Sequence, residues 1–303
     1  TFAAEHQIES NALSEKVAAW KQILFKARAT RVRPGLDDKA LTSWNALMIK
    51  AYCDLYAAKG DRQLLSEAKK TAAWLINTQG KSPKELFHSW RRGVSSVDGL
   101  IEDYAFGIEA LVALYQQSGE ESYLEQADRW MQYARENFED RASGLFYTRS
   151  KQGEQLIARS QETSDNVIPS ANSTMAHNLA KLGTLLEKSA YLEQAPWMLS
   201  HLKSRCLEYG ESYANWARLG LQQAYPHYEV VISGKEAEAK LQELQKSYLP
   251  QALVCWSKSE SDLPLFAYRY SKDLTRIYVC QEGACQLPVE EVGAALEQIK
   301  SEP

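Results

Sequence analysis

LYQQSGEESYLEQADRWMQYA, residues Leu114–Ala134, decides the fold. It closes one apolar helix, turns within a few residues and opens a second, more charged helix. Two other stretches repeat the unit: LYAAKGDRQLLSEAKKTAAWL at Leu55–Leu75 and LLEKSAYLEQAPWMLSHL at Leu185–Leu202. Ala68, Ala127 and Ala195 hold matching positions, 59 and 68 residues apart. Such a repeat predicts helical hairpins stacked side by side, with the small alanines allowing close helix contact.

The first helix of each pair is the more apolar. Trp44, Leu47, Met48, Ala51 and Leu55 form one stripe; Tyr104, Ile108, Leu111 and Tyr115 a second; Met175, Leu179, Leu182 and Leu186 a third. These stripes predict a buried inner layer, and the charged SEAKK and EESYLEQADR a half-solvated outer layer. The expected fold is mainly α, an α/α toroid of stacked helical hairpins, open or closed, over residues 1–224. Beyond residue 225, HYEVVISG, ALVCWS and TRIYVC read as strands. KEAEAKLQELQKSYL and VEEVGAALEQIK read as helices, so residues 225–303 form a small α/β unit packed on the toroid. Connections between hairpins are long and polar. GKSPKELFHSWRRGVSSVD, residues 80–98, reads as a loop, and GLFYTRS and GEQLIARS, within 140–170, as a short pair of strands.

Composition narrows the function. The formal net charge is -4 and no basic block is present, so no nucleic-acid partner is expected. No apolar run reaches membrane-spanning length and no signal peptide is visible, so a cytoplasmic location and no membrane are expected. The chain starts at Thr1 rather than methionine and reads as a trimmed chain or a fragment. Of five cysteines, Cys53 and Cys206 lie in helical patterns and read as reduced core thiols. Cys280 and Cys285 either bridge a turn or supply two metal ligands; no further cysteine pair or nearby histidine completes a metal site, so none is expected. Neither GxGxxG nor GxxxxGK occurs, and no cofactor is expected.

Polar residues crowd the starts of the inner helices, which a parallel stack gathers at one end. Capping accounts for Thr42 or Ser43 on the first helix, for Ser170 or Asn172 on the third, and for one acid on each helix dipole. The remainder reads as a pocket for a mono- or disaccharide. Its candidate catalytic groups are Asp38, Glu102, Asp103, Asp165 and His88. Its candidate substrate-binding groups are Arg33, Asp37, Lys39, Trp44, Asn45, Trp90, Arg92, Tyr104 and Asn172. Glycoside hydrolysis needs two carboxylates across a sugar ring. Epimerisation needs a base beside a carbonyl-adjacent carbon, plus an electrophile. Both chemistries stay open, as does a non-catalytic scaffold or interaction module.

Several segments carry a resemblance in a fixed order: RVRPGLDDKALTSWNALMIKA, LIEDYAFGIEALVALY, DNVIPSANSTMAHNLAKL, YEVVISG, YLP and YVCQEGACQLPV. Together they resemble the thioredoxin-domain-containing family that includes spermatogenesis-associated protein 20. The resemblance implies an α/α toroid similar to N-acylglucosamine 2-epimerases and six-hairpin glycosidases, preceded in the family by a thioredoxin-fold domain. This chain has no CxxC, so the family's redox role does not carry over. A thioredoxin-like domain or an upstream helical segment is instead the implied partner, since fewer helices are legible here than a six-hairpin ring takes. The family's recurrent residues fall on Asp37, Asp38, Lys39, Trp44, Asn45, Glu102, Asp103, Tyr104, Pro169, Ser170 and Asn172. Ala46 stands where family members have glycine, and the histidine arrangement of the true epimerases has no clear counterpart.

Overall fold

The computed structural model describes residues 2–153, 157–281 and 283–300, in two compact units, residues 1–38 and 39–303. The first holds α1 (Phe2–Glu5) and α2 (Ser10–Ala29). The Glu9 carboxylate caps α2 by accepting from the Ala12 N–H at 2.9 Å.

The second unit opens with β1 (Ala40–Leu41) and the hairpin α3 (Thr42–Lys59) and α4 (Arg62–Thr78). Strands β2 (Phe87–Arg91) and β3 (Val94–Asp98) follow, then a second hairpin, α5 (Ile101–Ser118) and α6 (Glu121–Phe138). The third hairpin is α7 (Ala171–Leu185) and α8 (Ser189–Ser200), followed by α9 (Lys203–Glu208) and α10 (Ala214–Ala224). Gly60 and Gly119 stop α3 and α5 at a φ of 70°, and their N–H groups return to the carbonyls of Tyr56 and Tyr115. Glycine takes this left-handed cap without a Cβ penalty, which keeps both hairpin turns tight.

Helix α5 packs against α3 on one flank and α7 on the other, and α4, α6 and α8 form the outer layer. This is the layering of an α/α toroid, mainly helical with small sheets added. Helix α5 is buried nearly all round, through Tyr104, Phe106, Ile108, Leu111 and Tyr115 among others. The expected stripe on α3 is a correction. Its buried face is Ala46, Ile49, Cys53 and Tyr56, whereas Trp44, Met48 and Leu55 are 64%, 50% and 40% exposed. Helix α3 meets only one inner helix, α5, so one side of it lacks an inner neighbour among the described residues.

Two connections also differ from expectation. Residues 87–98 are a β-hairpin rather than a loop, closed by the two-residue turn Arg92–Gly93 with φ 49° and 87°. Positive φ at both turn residues matches the twist of the flanking strands. No strand forms over GLFYTRS; Thr148 N–H donates to the Ser160 carbonyl at 2.8 Å, and part of GEQLIARS, residues 154–156, lies outside the described residues.

The chain ends in β4 (Tyr228–Ser233), α11 (Ala237–Leu244), β5 (Ala252–Ser257), β6 (Arg276–Gln281), β7 (Ala284–Cys285) and α12 (Val292–Lys300). The sheet order is β5-β4-β6-β7; β4 and β5 run parallel across the α11 crossover, and β6 is antiparallel to β4. Val231, Leu253 and Cys255 join the helical core, while Val230, Ile232 and Val279 form a second core with Leu241, Val292 and Ile299. The indole N–H of Trp256 donates to the Gln116 carbonyl, fastening the sheet to α5. Cys280 and Cys285 form a disulfide between β6 and β7. Among the described residues no helix is long and apolar enough to cross a membrane.

Candidate functional site

The start of α3 lies beside β2, because β1 pairs with β2 in the register Ala40–Trp90 and Leu41–Ser89. Leu41 occupies the cap position of α3 and offers no side-chain acceptor. Thr42 does not cap either: its hydroxyl donates to the Phe87 carbonyl at 2.6 Å. The cap comes from the next inner helix. Asp103 Oδ1 accepts from the Ser43 N–H at 2.9 Å, and Oδ2 accepts from the Leu100 N–H at 2.8 Å. One carboxylate therefore satisfies amides at the starts of both α3 and α5. His88, on β2, places Nδ1 2.9 Å from the same Oδ2.

Asp103 is fully buried, and burial pushes its carboxyl up to about 6, with the His88 and Leu100 hydrogen bonds opposing the rise. His88 is half-buried; its hydrogen bond to Asp103 holds it above the usual imidazole range, with Glu102 adding to that effect and Lys39 opposing it. Glu102 Oε1 lies 3.9 Å from His88 Nδ1 and accepts from the Ser43 hydroxyl at 3.1 Å. Ligand-type atoms of His88, Glu102 and Asp103 all lie within 4.8 Å of one another. His88 and Asp103 already share a proton, so a cation held by all three must replace it. The arrangement has the parts for acid–base chemistry: a buried carboxylate orients an imidazole whose Nε2 takes no hydrogen bond among the described residues, with a second carboxylate alongside.

The other expected residues are distributed more widely. Trp44 is exposed in the first turn of α3, and the amide of Asn45 donates back to the Leu41 carbonyl at 2.8 Å. Trp90 meets Trp74 edge-on at 6.4 Å. Arg92 sits in the β2–β3 turn. Tyr104 belongs to the core: its hydroxyl accepts from the Leu86 N–H at 3.0 Å and its ring stacks on Tyr133 at 5.4 Å. It lines a narrow cavity of about 100 Å³ with Lys81 and Glu85. Arg33, Asp37 and Asp38 belong to the unit of residues 1–38.

The start of α7 is built differently. Ser170 caps it by accepting from the Ser173 N–H at 3.2 Å. Asp165 accepts from the Ser170 N–H, the Ser173 hydroxyl and the Asn215 N–H at 2.9, 3.0 and 2.9 Å. Asn172 is fully buried; its oxygen accepts from the Phe146 N–H, and its nitrogen donates to the Phe146 and Glu162 carbonyls. Ile101 N–H, at the start of α5, donates to the Thr148 carbonyl in the same loop. The three inner-helix starts therefore share one end of the stack. Asn215 carries no local pattern that marks it in the sequence; its role arises only from the return of α10 beside α7.

No family model matches the chain. Spermatogenesis-associated protein 20 of Mus musculus and of Homo sapiens are each 27% identical over 308 residues, covering 95% of this chain and 39% of the relative. The chain thus spans about two-fifths of the length of the curated relatives it matches. Among solved structures, the GH76 α-mannanase of Bacteroides thetaiotaomicron superposes with a TM-score of 0.45 at 17% identity, covering 58% of this chain and 46% of that one. Cellobiose 2-epimerase of Bacillus thermoamylovorans gives 0.46 at 12% identity, covering 54% and 44%.

Proposed function

We propose that the protein is carbohydrate-active and moves protons on a polyhydroxylated ligand at the starts of α3 and α5. The observation that carries this reading is the 2.9 Å contact between His88 Nδ1 and the buried Asp103 Oδ2. Asp103 orients the imidazole and stabilises its protonated form; His88 is the general base through Nε2; Glu102 is the second acid–base group. Exposed Trp44, adjacent to Ser43, offers a face for a sugar ring. Epimerase- or isomerase-type chemistry beside a carbonyl suits this set better than hydrolysis. Hydrolysis requires two carboxylates presented across a ring. Here Asp103 is enclosed and Asp165 is committed to Ser170, Ser173 and Asn215.

The test is exchange of the C2 proton of reducing mono- and disaccharides with deuterated solvent, followed by NMR. Wild type exchanges at least one sugar, and His88→Gln and Glu102→Gln lose the exchange while staying folded. Equal exchange in wild type and both variants, or none with any sugar, overturns the reading. The second reading is a non-catalytic scaffold that accompanies a thioredoxin-like domain in a longer protein. The committed acid and amides at the start of α7 favour it, because they stiffen the stack and leave no group for chemistry there.

A further inference from the structure

A cavity of about 600 Å³ lies between the inner helices and the segment leading into β5. Lys50 of α3, Glu109 of α5, Lys181 of α7, Arg218 of α10 and His227 are among its lining residues. Lys50 is seven residues beyond Ser43, and Glu109 seven beyond Glu102. Two helical turns, about 10 Å of rise, therefore separate this cavity from the His88 cluster along the helices.

Its electrostatics differ from those of the helix starts. Lys50 is already tied to Asp54 at 2.6 Å. Lys181 and Arg218 make no hydrogen bond and no ion pair within 4.0 Å among the described residues, and Glu109 is the only carboxylate among the lining residues. Burial and the like charges of Lys50 and Arg218 depress the Lys181 ammonium, against the pull of Glu109. Lys181, partly buried, and Arg218, exposed at the rim, are two lining cations with a single lining carboxylate, and an incoming anion stabilises both. His227 adds a buried Nδ1 with no hydrogen-bond partner. Leu219, Leu249 and Leu253 supply apolar wall for the body of a ligand. The volume falls in the range of small-molecule sites, roughly 300–1,000 Å³.

We propose that this cavity binds a small organic oxyanion, a phosphate ester or a carboxylate, with its charged head on Lys181 and Arg218 and a polar contact to His227. The site is separate from the His88 cluster and does not depend on that cluster's chemistry.

The test is calorimetric titration of the full chain with glucose 6-phosphate and with gluconate, repeated on Lys181→Met, Arg218→Gln and His88→Gln. At least one anion binds saturably to wild type. Its affinity falls at least tenfold in Lys181→Met and in Arg218→Gln, and is kept in His88→Gln. Binding of glucose 6-phosphate alone assigns a phosphate head, and binding of gluconate alone a carboxylate head; either supports the site. If Lys181→Met fails to fold, Arg218→Gln, at an exposed position, carries the test. Binding of neither anion overturns the proposal. So does unchanged affinity in Arg218→Gln, or an affinity lost only in His88→Gln, which moves the anion to the helix starts.

Discussion

The starts of α3 and α7 look alike in sequence, each an acid-and-amide segment running into an apolar helix, but they fold into different objects. At α7 every oxygen of Asp165 and every amide atom of Asn172 meets a backbone group or a hydroxyl within the chain. At α3 the cap is borrowed from Asp103 of the neighbouring helix, and the borrowed carboxylate also faces a partly buried histidine. The first arrangement is closed. The second keeps one imidazole and one carboxylate, Glu102, at the boundary between core and solvent. What separates them is where the acceptor comes from: a local acceptor completes its own loop, whereas a distant one brings a second element with it.

The largest effect that tests this contrast belongs to Asp103. Asp103→Ala strands the Ser43 and Leu100 N–H groups and removes the partner of His88, so a loss of about 3–5 kcal/mol is expected from urea unfolding. A loss under about 1 kcal/mol would show that Asp103 does not hold the two helix starts together. Asn172→Ala removes three hydrogen bonds, the two to the Phe146 backbone buried and the one to the Glu162 carbonyl partly buried, and should cost about 2–3 kcal/mol. The folded fraction of Asn172→Ala should exchange sugar protons at the wild-type rate. A folded Asn172→Ala without exchange breaks the comparison, because it makes the α7 start part of the site.

The hairpin stack was legible because helical periodicity survives in one sequence: the turns after Leu55, Leu114 and Leu185 are where the structure turns. Periodicity could not choose the buried face of α3. Trp44, Met48, Ala51 and Leu55 recur at helical spacing, and so do Ala46, Ile49, Cys53 and Tyr56; only the position of α5 decides between them. The β2–β3 hairpin was missed although its signal is present. FHSWR and VSSVD flank a two-residue turn ending in Gly93, but the polar character of the segment masks its strand alternation. His88, Glu102 and Asp103 could be named from sequence as candidates. Their meeting could not, since Ser43 and Asp103 are 60 residues apart. Lys181 and Arg218 were invisible as a pair for the same reason.

A smaller effect reads the charge on His88. Its folded pKa is raised by Asp103, so its contribution to stability is fully present below the unfolded value of about 6.5 and is lost as pH rises through the raised value. Wild type should therefore exceed His88→Gln by about 1 kcal/mol at pH 6, a figure reduced for the partial exposure of the ring, and the gap should close toward alkaline pH. Unfolding curves for both proteins from pH 6 to 9 measure it. A gap that widens with pH reverses the sign of the coupling and removes the argument for a protonated imidazole held by Asp103.

The smallest stability effect is expected at Glu102, and it separates the two regions most sharply. Glu102 is half-buried, and the interaction its carboxylate makes within hydrogen-bond range is with the Ser43 hydroxyl. The amide oxygen of Glu102→Gln can accept that hydrogen bond, so unfolding should shift by no more than about 0.5 kcal/mol. The negative charge beside His88 is nevertheless gone, and the amide cannot exchange a proton near neutral pH. If the α3–α5 start is a working acid–base site, Glu102→Gln keeps its stability and loses sugar-proton exchange. If it is a structural joint like the start of α7, loss of function should follow loss of stability there, and Glu102→Gln should change neither.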